Sequence, residues 1–402
     1  MSQRVFITGF GIITSVGNNT AENFQSLVKG RCGYGELSIL DTIHRTNLPS
    51  CEIKLHDDEL KKLTGVGDGR GYTRTTLLGL IALQEAISSA GLTNKEVHSS
   101  GLLSATTTGG IREFERHFYD LLDLSKEGPF AQFADTANPG EHCERMADKV
   151  GIKGYIATIS TACSSSANAI IQGAQLISNN LLDVAICGGS EALSKFTING
   201  FNSLMIVDAE HCRPFDNTRM GLNLGEGAAY IVLESEASLS RRSKTPIAEL
   251  KGYGNANDAF HQTASSPEGT GALHAMKQAL DSANVSPLDI DYINAHGTAT
   301  ENNDLSEGNG IQSLFTEKVP YFSSTKPYTG HTLAAAGSIE AVYCLLGLQH
   351  QMIWPNLNFQ HQMPELSITP VRKLMENVRL KHILSNSFGF GGNTSSLLLA
   401  SA

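Results

Sequence analysis

Three side chains in this sequence are of the right type and in the right settings to do chemistry together: Cys163 in STACSSSANAI, His296 in NAHGTAT and His331 in TKPYTGHTLAAAG. Cys163 stands between a β-like run, YIATIS at 155–160, and a helix-like run, SSSANAIIQGAQLISNN at 164–180. A cysteine at such a joint aims its sulfur at the unpaired N–H groups and positive end of the helix, which predicts a bias towards thiolate and an oxyanion site built from the same backbone. An unperturbed thiol, with a pKa of about 8.5, is only a few per cent ionised at neutral pH. Taken alone, Ala-Cys-Ser reads as a small buried thiol filling a crowded turn. The histidines shift that balance, because each falls at a strand or helix end, where side chains converge on a cleft. Metal ligation is the rival reading, but the two histidines are 35 positions apart, with no third ligand at motif spacing and no HExxH or CxxC signature.

Two further charged residues lie close by in sequence. Lys326 ends a predicted strand five residues before His331, a place where most lysines are surface charges. Glu340 follows His331 by nine residues on a helix predicted from about His331 to Gln351, and reaches the site only if the start of that helix curls over it. The SFGFGG turn near the end of the chain marks, by itself, a tight bend with positive φ.

The elements that must position these residues alternate between strand and helix. DVAICGGSE and EGAAYIVLES read as buried strands, and the polar stretch SLSRRSKTP (238–246) as a surface connection. Beyond it come strand IAELKGYGNA, a helix over 268–284, strand DYINAH, a helix near 303–315 and strand YFSSTK. The chain then ends as ILSNSF and NTSSLLLA folded over GFGG. Two halves of similar order predict a duplicated, layered α/β architecture divided into residues 1–245, with the cysteine, and 246–402, with both histidines.

Composition fits this. The chain has 402 residues, 41% of them hydrophobic, enough for a large core, and 39 glycines against 17% charged residues favour tight strand-to-helix turns over a helical bundle. Seven scattered cysteines without CxxC pairs read as reduced thiols, which with the lack of a leader-like start or long apolar run predicts a cytoplasmic protein. A net charge of −10 argues against bulk nucleic-acid binding and against adsorption to an anionic membrane, and leaves any acidic partner to a local basic patch.

In this order, STACSSSANAI, NAHGTAT, STKPYTGHTLAAAGSIEAV and SNSFGFGG resemble the motifs of the β-ketoacyl-acyl carrier protein synthases, condensing enzymes of the thiolase fold. VFITGFGIITSVGN, RPFDNTRMGLNLGEGAA and NDAFHQTASSPEG extend the resemblance over nearly the whole chain. It implies a thiolase-like, five-layered α-β-α-β-α fold and decarboxylative condensation of an acyl thioester on Cys163 with a malonyl-loaded carrier. In that scheme His296 and His331 stabilise the developing enolate and thioester oxygen. Lys326 pairs with Glu340 to organise the site. Phe390 gates the acyl pocket, with its N–H joining that of Cys163 in the oxyanion hole, and Phe388 and Gly391 belong to the same gate region. Thr298, Thr300 and Thr263 line the substrate passage. No metal or organic cofactor is implied. The implied partners are an acyl carrier protein and a second copy of the chain, or a sister subunit in its place.

The sequence also departs from the pattern of the elongating enzymes. Ala334 stands where GHLLGAAG-like motifs have Gly, Met220 where an Asp often follows Arg, and Asn393-Thr394 reverse the common Thr-Asn. Thr108 falls where an apolar residue commonly lines the acyl pocket, which predicts a more polar, shorter or unsaturated chain. FNSLMIVDAEHCRPFD is shorter than its counterpart, so Lys61, Lys62, Arg70 and Arg74 are the candidates for a basic patch that docks an acidic carrier. Retention of Cys163, His296, His331 and Lys326 argues against a non-catalytic chain-length partner, and the paired histidines argue against a coenzyme A-using thiolase.

Overall fold

Ten strands carry the fold: β1 (Val5–Thr14), β2 (Gly101–Ala105), β3 (Ile156–Ile159), β4 (Val184–Glu191), β5 (Gly227–Ser235), β6 (Ala248–Asn257), β7 (Tyr292–Asn294), β8 (Tyr321–Ser323), β9 (His382–Phe388) and β10 (Asn393–Ser401). The computed structural model describes residues 3–67 and 70–402. The strands join in the order β3-β2-β4-β5-β1-β6-β10-β9-β7-β8, which repeats about its middle. In one half β2 runs parallel to β3 and β4, while β5 is antiparallel to β4 and β1. In the other, β7 runs parallel to β8 and β9, while β10 is antiparallel to β9 and β6. The halves meet where Phe6 and Ile7 of β1 pair with Glu249 and Ala248 of β6.

Layering follows from which strands are buried on both faces. Every residue of β1, β4 and β5 is buried, so these strands need cover above and below. Helix Arg74–Ala90 packs on β1, β4 and β5, and helix Thr270–Ala283 on β6, β9 and β10. Helices Ser165–Ser178 and Ala336–His350 touch strands of both halves and each other, so they form the central layer of a five-layered α-β-α-β-α stack. The second of these is buried on every side from Ala336 to Leu348, as an interior helix must be. The two central helices approach closely at Gly337, where a Cβ would lie 2.9 Å from the Ala167 nitrogen.

The stack puts the starts of both central helices together, one preceded by Cys163 and the other by His331. Two details differ from the sequence expectation. The long helix begins at Ala336 after a short 3-10 turn, Leu333–Ala335, so His331 does not open it. SLSRRSKTP is not wholly a connection, because Glu236–Arg242 forms a helix capped by the Ser235 side chain, with Arg241 and Arg242 in its last turn.

Candidate active site

Cys163 lies on a sharp elbow between β3 and helix Ser165–Ser178. Its predecessor, Ala162, has φ 51°, a left-handed value that costs a non-glycine residue energy and must be held by its surroundings. The GFGG turn supplies part of that hold. At Gly389 a Cβ would lie 2.8 Å from the Thr161 oxygen and 3.2 Å from the Cys163 nitrogen, so only glycine lets the turn close on the elbow.

Backbone contacts fix each histidine. The β7 strand ends at Asn294, which leaves His296 on the following loop. There the carboxylate of Glu307 accepts from the N–H groups of His296 and Gly297, at 2.9 and 2.8 Å. His331 forms a bridge with Leu224, its N–H donating to Asn223 O at 2.7 Å and its carbonyl accepting from Gly225 N at 3.0 Å. The two imidazoles meet edge to face, with ring centroids 5.4 Å apart and planes at 85°. Phe388, the last residue of β9, completes the wall with its ring centroid 5.7 Å from that of His296.

Lys326 is buried beside them. Its Nζ donates to Nδ1 of His296 at 3.1 Å, to the His296 carbonyl at 2.6 Å and to the carboxylate of Glu340. Glu340 reaches it from the first turns of helix Ala336–His350. Three donors on one ammonium thus meet three acceptors, and with Nδ1 of His296 accepting, its ring proton resides on Nε2. Burial pushes the Glu340 carboxyl up to about 7 against the opposing pull of Lys326.

The electrostatics correct one expectation. Burial pushes the Cys163 thiol up to about 12, although Lys326 and the Phe390 N–H directed at it oppose the shift. The resting group is a thiol, and the helix end serves a charge that develops during reaction rather than one already present. Burial, with Lys326 adding to it, holds both imidazoles well below their ordinary range, so they are neutral at pH 7.

Two cavities open from Cys163. A narrow one of about 50 Å³ runs past His296, His331, Thr298, Thr300 and Thr263. On the other side a larger one, about 470 Å³, is lined by Phe196, Leu204, Leu333 and Thr108. Cys163, Phe201 and Phe390 line both. The Phe201 and Phe390 rings stack at 5.8 Å, forming a partition between the cavities. Thr108 does lie in the wall of the larger cavity, but its hydroxyl donates to buried Glu191 at 3.0 Å, so its proton is not offered to a bound chain. The predominantly apolar wall suits a hydrocarbon chain, a shorter or unsaturated one included.

Other predicted residues sort clearly. Gly391 donates its N–H to Gln262 O at 2.7 Å, so it braces the turn instead of supplying an oxyanion donor. Arg74 is not a docking residue. It is fully buried, donating to Glu226 at 2.7 Å, to Asp57 at 2.8 Å and to the carbonyls of Ile53 and Leu55. Lys62 is exposed, Arg70 is exposed and pairs with Asp148 at 2.8 Å, and Lys61 is half-buried, 3.7 Å from Asp58.

Sequence reasoning passed over Glu307, Asp304 and Phe201. Asp304 accepts from Phe215 N at 2.7 Å and Ala299 N at 3.2 Å, shaping the His296 loop as Glu307 does. Their i, i+3 spacing on the helix directly after NAHGTAT was a usable signal, since it puts two carboxylates on one face beside a loop rich in N–H donors. Nothing in TINGFNSLM marks Phe201.

Comparison with known proteins bears on this geometry. Residues 2–238 match the family model described as Beta-ketoacyl synthase, N-terminal domain, and residues 247–360 the Beta-ketoacyl synthase, C-terminal domain. The chain is similar to 3-oxoacyl-[acyl-carrier-protein] synthase 2 of Staphylococcus aureus (strain COL), 32% identical over 412 residues that cover 99% of this chain and 98% of the relative. It is likewise 32% identical, over 420 residues, to the tetracenomycin polyketide synthase ketoacyl synthase alpha subunit of Streptomyces glaucescens, covering 99% and 97%. Among solved structures, the ishigamide ketosynthase/chain length factor superposes with a TM-score of 0.91 at 28% identity, covering 100% of both chains. A ketosynthase (ApeO) in complex with its chain length factor (ApeC) from Xenorhabdus doucetiae gives 0.85 at 31% identity, covering 100% and 98%.

Proposed function

Since the chain belongs to the beta-ketoacyl synthase family and is a β-ketoacyl-acyl carrier protein synthase, we propose that Cys163 is the nucleophile that carries its acyl group. The observation that carries this assignment is that Cys163 lines both cavities, so one sulfur faces the imidazoles on one side and an apolar pocket on the other.

The chemistry divides accordingly. In the first half, the Cys163 sulfur attacks the thioester carbonyl of an acyl-loaded carrier, the carrier thiol leaves with the proton, and the chain enters the larger cavity past Phe201 and Phe390. The N–H groups of Cys163 and Phe390 receive the oxyanion of that step. In the second half, malonyl-carrier enters the narrow cavity past Thr298, Thr300 and Thr263 and loses carbon dioxide. The enolate oxygen gathers charge beside Nε2–H of His296 and the His331 ring, both buried neutral donors. The enolate carbon attacks the Cys163 acyl carbonyl, giving β-ketoacyl-carrier and freeing the sulfur to regain a proton. Lys326 holds the His296 tautomer, and Glu340 holds Lys326.

The partners follow from the surface. The exposed Lys62 and Arg70, with Lys61, are proposed to meet an acidic carrier protein. Strand β3 ends the ten-stranded sheet, and Ile156 at its start and Tyr155 just before it are each 39% exposed. An apolar edge of this kind favours pairing with another chain, so we propose a dimer across β3. A second copy is the first candidate. A sister subunit is the second, since two of the similar structures are of a ketosynthase with a chain length factor. Residues 1–245 and 246–402 are proposed as the duplicated units. Among the described residues no helix is long and apolar enough to cross a membrane, and a cytoplasmic location is proposed with it.

The test is turnover by the purified chain with acyl-carrier and malonyl-carrier, followed by mass spectrometry of the carrier products. β-Ketoacyl-carrier with release of carbon dioxide is expected. Failure of the chain alone, with turnover on adding a sister subunit, would select the heterodimer.

A further inference from the structure

The nucleophile elbow and the turn bearing Phe390 come from opposite halves of the chain, 226 residues separating Ser165 from Gly391, and an oxyanion hole shared between them needs a fixed relative position. Three asparagines bridge them. Asn393, the first residue of β10, accepts at Oδ1 from the Ser164 hydroxyl at 2.7 Å, from Asn168 Nδ2 at 2.8 Å and from Asn255 Nδ2 at 3.2 Å. Its own amide returns a bond to Asn255 Oδ1 at 3.2 Å. Asn168 Nδ2 also donates to the Thr161 hydroxyl at 2.8 Å, and its Oδ1 accepts from Asn255 and Ser395 at 2.8 and 2.7 Å.

These bonds reach both sides of Cys163, at Thr161 and Ser164, and hold a backbone whose Ala162 is in a strained left-handed conformation. The main chain of Asn393 has a second duty, because its carbonyl accepts from Gly389 N at 2.8 Å and closes the turn that carries Phe390. One residue therefore grips the elbow with its side chain and the turn with its backbone. The role calls for a carboxamide, which offers one oxygen able to take several donors together with an N–H group for Asn255. This is also the position where the sequence departs from the Thr-Asn order of the elongating enzymes.

We propose that Asn393, Asn168 and Asn255 form a positioning device that sets the Phe390 N–H against the Cys163 sulfur and so aligns the two halves of the oxyanion hole. The inference rests on the reading of Cys163 as the acylated nucleophile. A loosened network leaves the thiol in place but misaims the second donor, so a reaction that builds an oxyanion suffers more than simple displacement by the sulfur, which loses only the Phe390 N–H bond to the thiolate.

Two reactions of Cys163 separate these effects in the full-length protein: acylation by acyl-carrier, which passes through an oxyanion, and alkylation by iodoacetamide, which does not. For Asn393→Ala, acylation at saturating carrier is expected to slow by about tenfold or more, short of the ~10²–10³ for deleting an oxyanion donor outright. Half-saturation for the carrier should stay at the wild-type value, and alkylation should fall by much less than acylation. Asn168→Ala, which leaves β10 untouched, should reproduce the same split if the first variant folds poorly. Wild-type acylation rates in both variants, or alkylation falling in step with acylation, would overturn the proposal. Absence of acylation in the wild type would instead remove the reading of Cys163 on which it stands.

Discussion

Lys326 Nζ donates to two atoms of the same residue, the Nδ1 and the carbonyl oxygen of His296, at 3.1 and 2.6 Å. One buried cation thereby fixes both the tautomer and the backbone position of an imidazole that belongs to another loop. Replacing Lys326 by Met removes that control without opening a large cavity. Acylation of Cys163 should survive, while decarboxylation of malonyl-carrier should fall by about 10² or more. The change also strands Glu340, and losing one member of a buried ion pair costs about 3–5 kcal/mol. Adding Glu340→Gln should restore much of the melting temperature and none of the decarboxylation, measured by thermal unfolding and carbon dioxide release.

The pH profile of decarboxylation follows from the depressed histidines. Both imidazoles lie well below the ordinary value of 6.5, so lowering the pH through 6.5 does not charge them. The histidines should lower the rate with saturating malonyl-carrier only at lower pH, as protonation removes the capacity of Nδ1 of His296 to accept from Lys326, whereas a change near pH 7 belongs to the Glu340 and Glu307 carboxyls, which burial pushes up to about 7. An inflection centred at 6.5 in initial rates of carbon dioxide release that persists in both Glu340→Gln and Glu307→Gln would mean that the catalytic imidazoles are not the buried pair.

Cys163 should behave as a thiol of high pKa. Its alkylation by iodoacetamide should climb about tenfold per pH unit beyond the ordinary cysteine value of about 8.5, without a plateau there. Peptide mass spectrometry after timed quenching would follow Cys163 apart from the other six cysteines. A plateau at or below pH 8.5 would indicate the thiolate bias that the helix end alone suggests.

These contrasts mark what the sequence could carry. The joint between YIATIS and SSSANAI, the two histidine motifs and the glycine turn are local patterns, and each maps onto an element end in the fold. The thiol's state is not local. It depends on burial by side chains from both halves, and a helix N-terminus read in isolation therefore points the wrong way. Arg74 failed for a related reason, since its partner Glu226 is 152 residues away and a basic residue in the first turn of a helix looks like any solvated charge. Likewise Asn393 registered as an oddity of order, while its meaning lies in Ser164 and Asn168, on the helix after Cys163 and its cap, and in Asn255 on β6.

Arg74 and Lys62 should separate under mutation. Arg74→Ala leaves Glu226 buried without its main partner and should cost about 3–5 kcal/mol, seen as a lowered melting temperature. Lys62→Ala should leave the melting temperature unchanged and raise the carrier concentration needed for half-maximal turnover, more so at low salt. The reverse pattern would return Arg74 to the surface role.

The central claim, that one sulfur carries the chain between two cavities, is most directly tested by intact mass spectrometry of the wild type and Cys163→Ala after incubation with acyl-carrier. The wild type should gain the mass of one acyl group, and adding malonyl-carrier should discharge it as β-ketoacyl-carrier appears, with no adduct on the variant. An equal adduct on Cys163→Ala, or turnover by that variant at the wild-type rate, would contradict it.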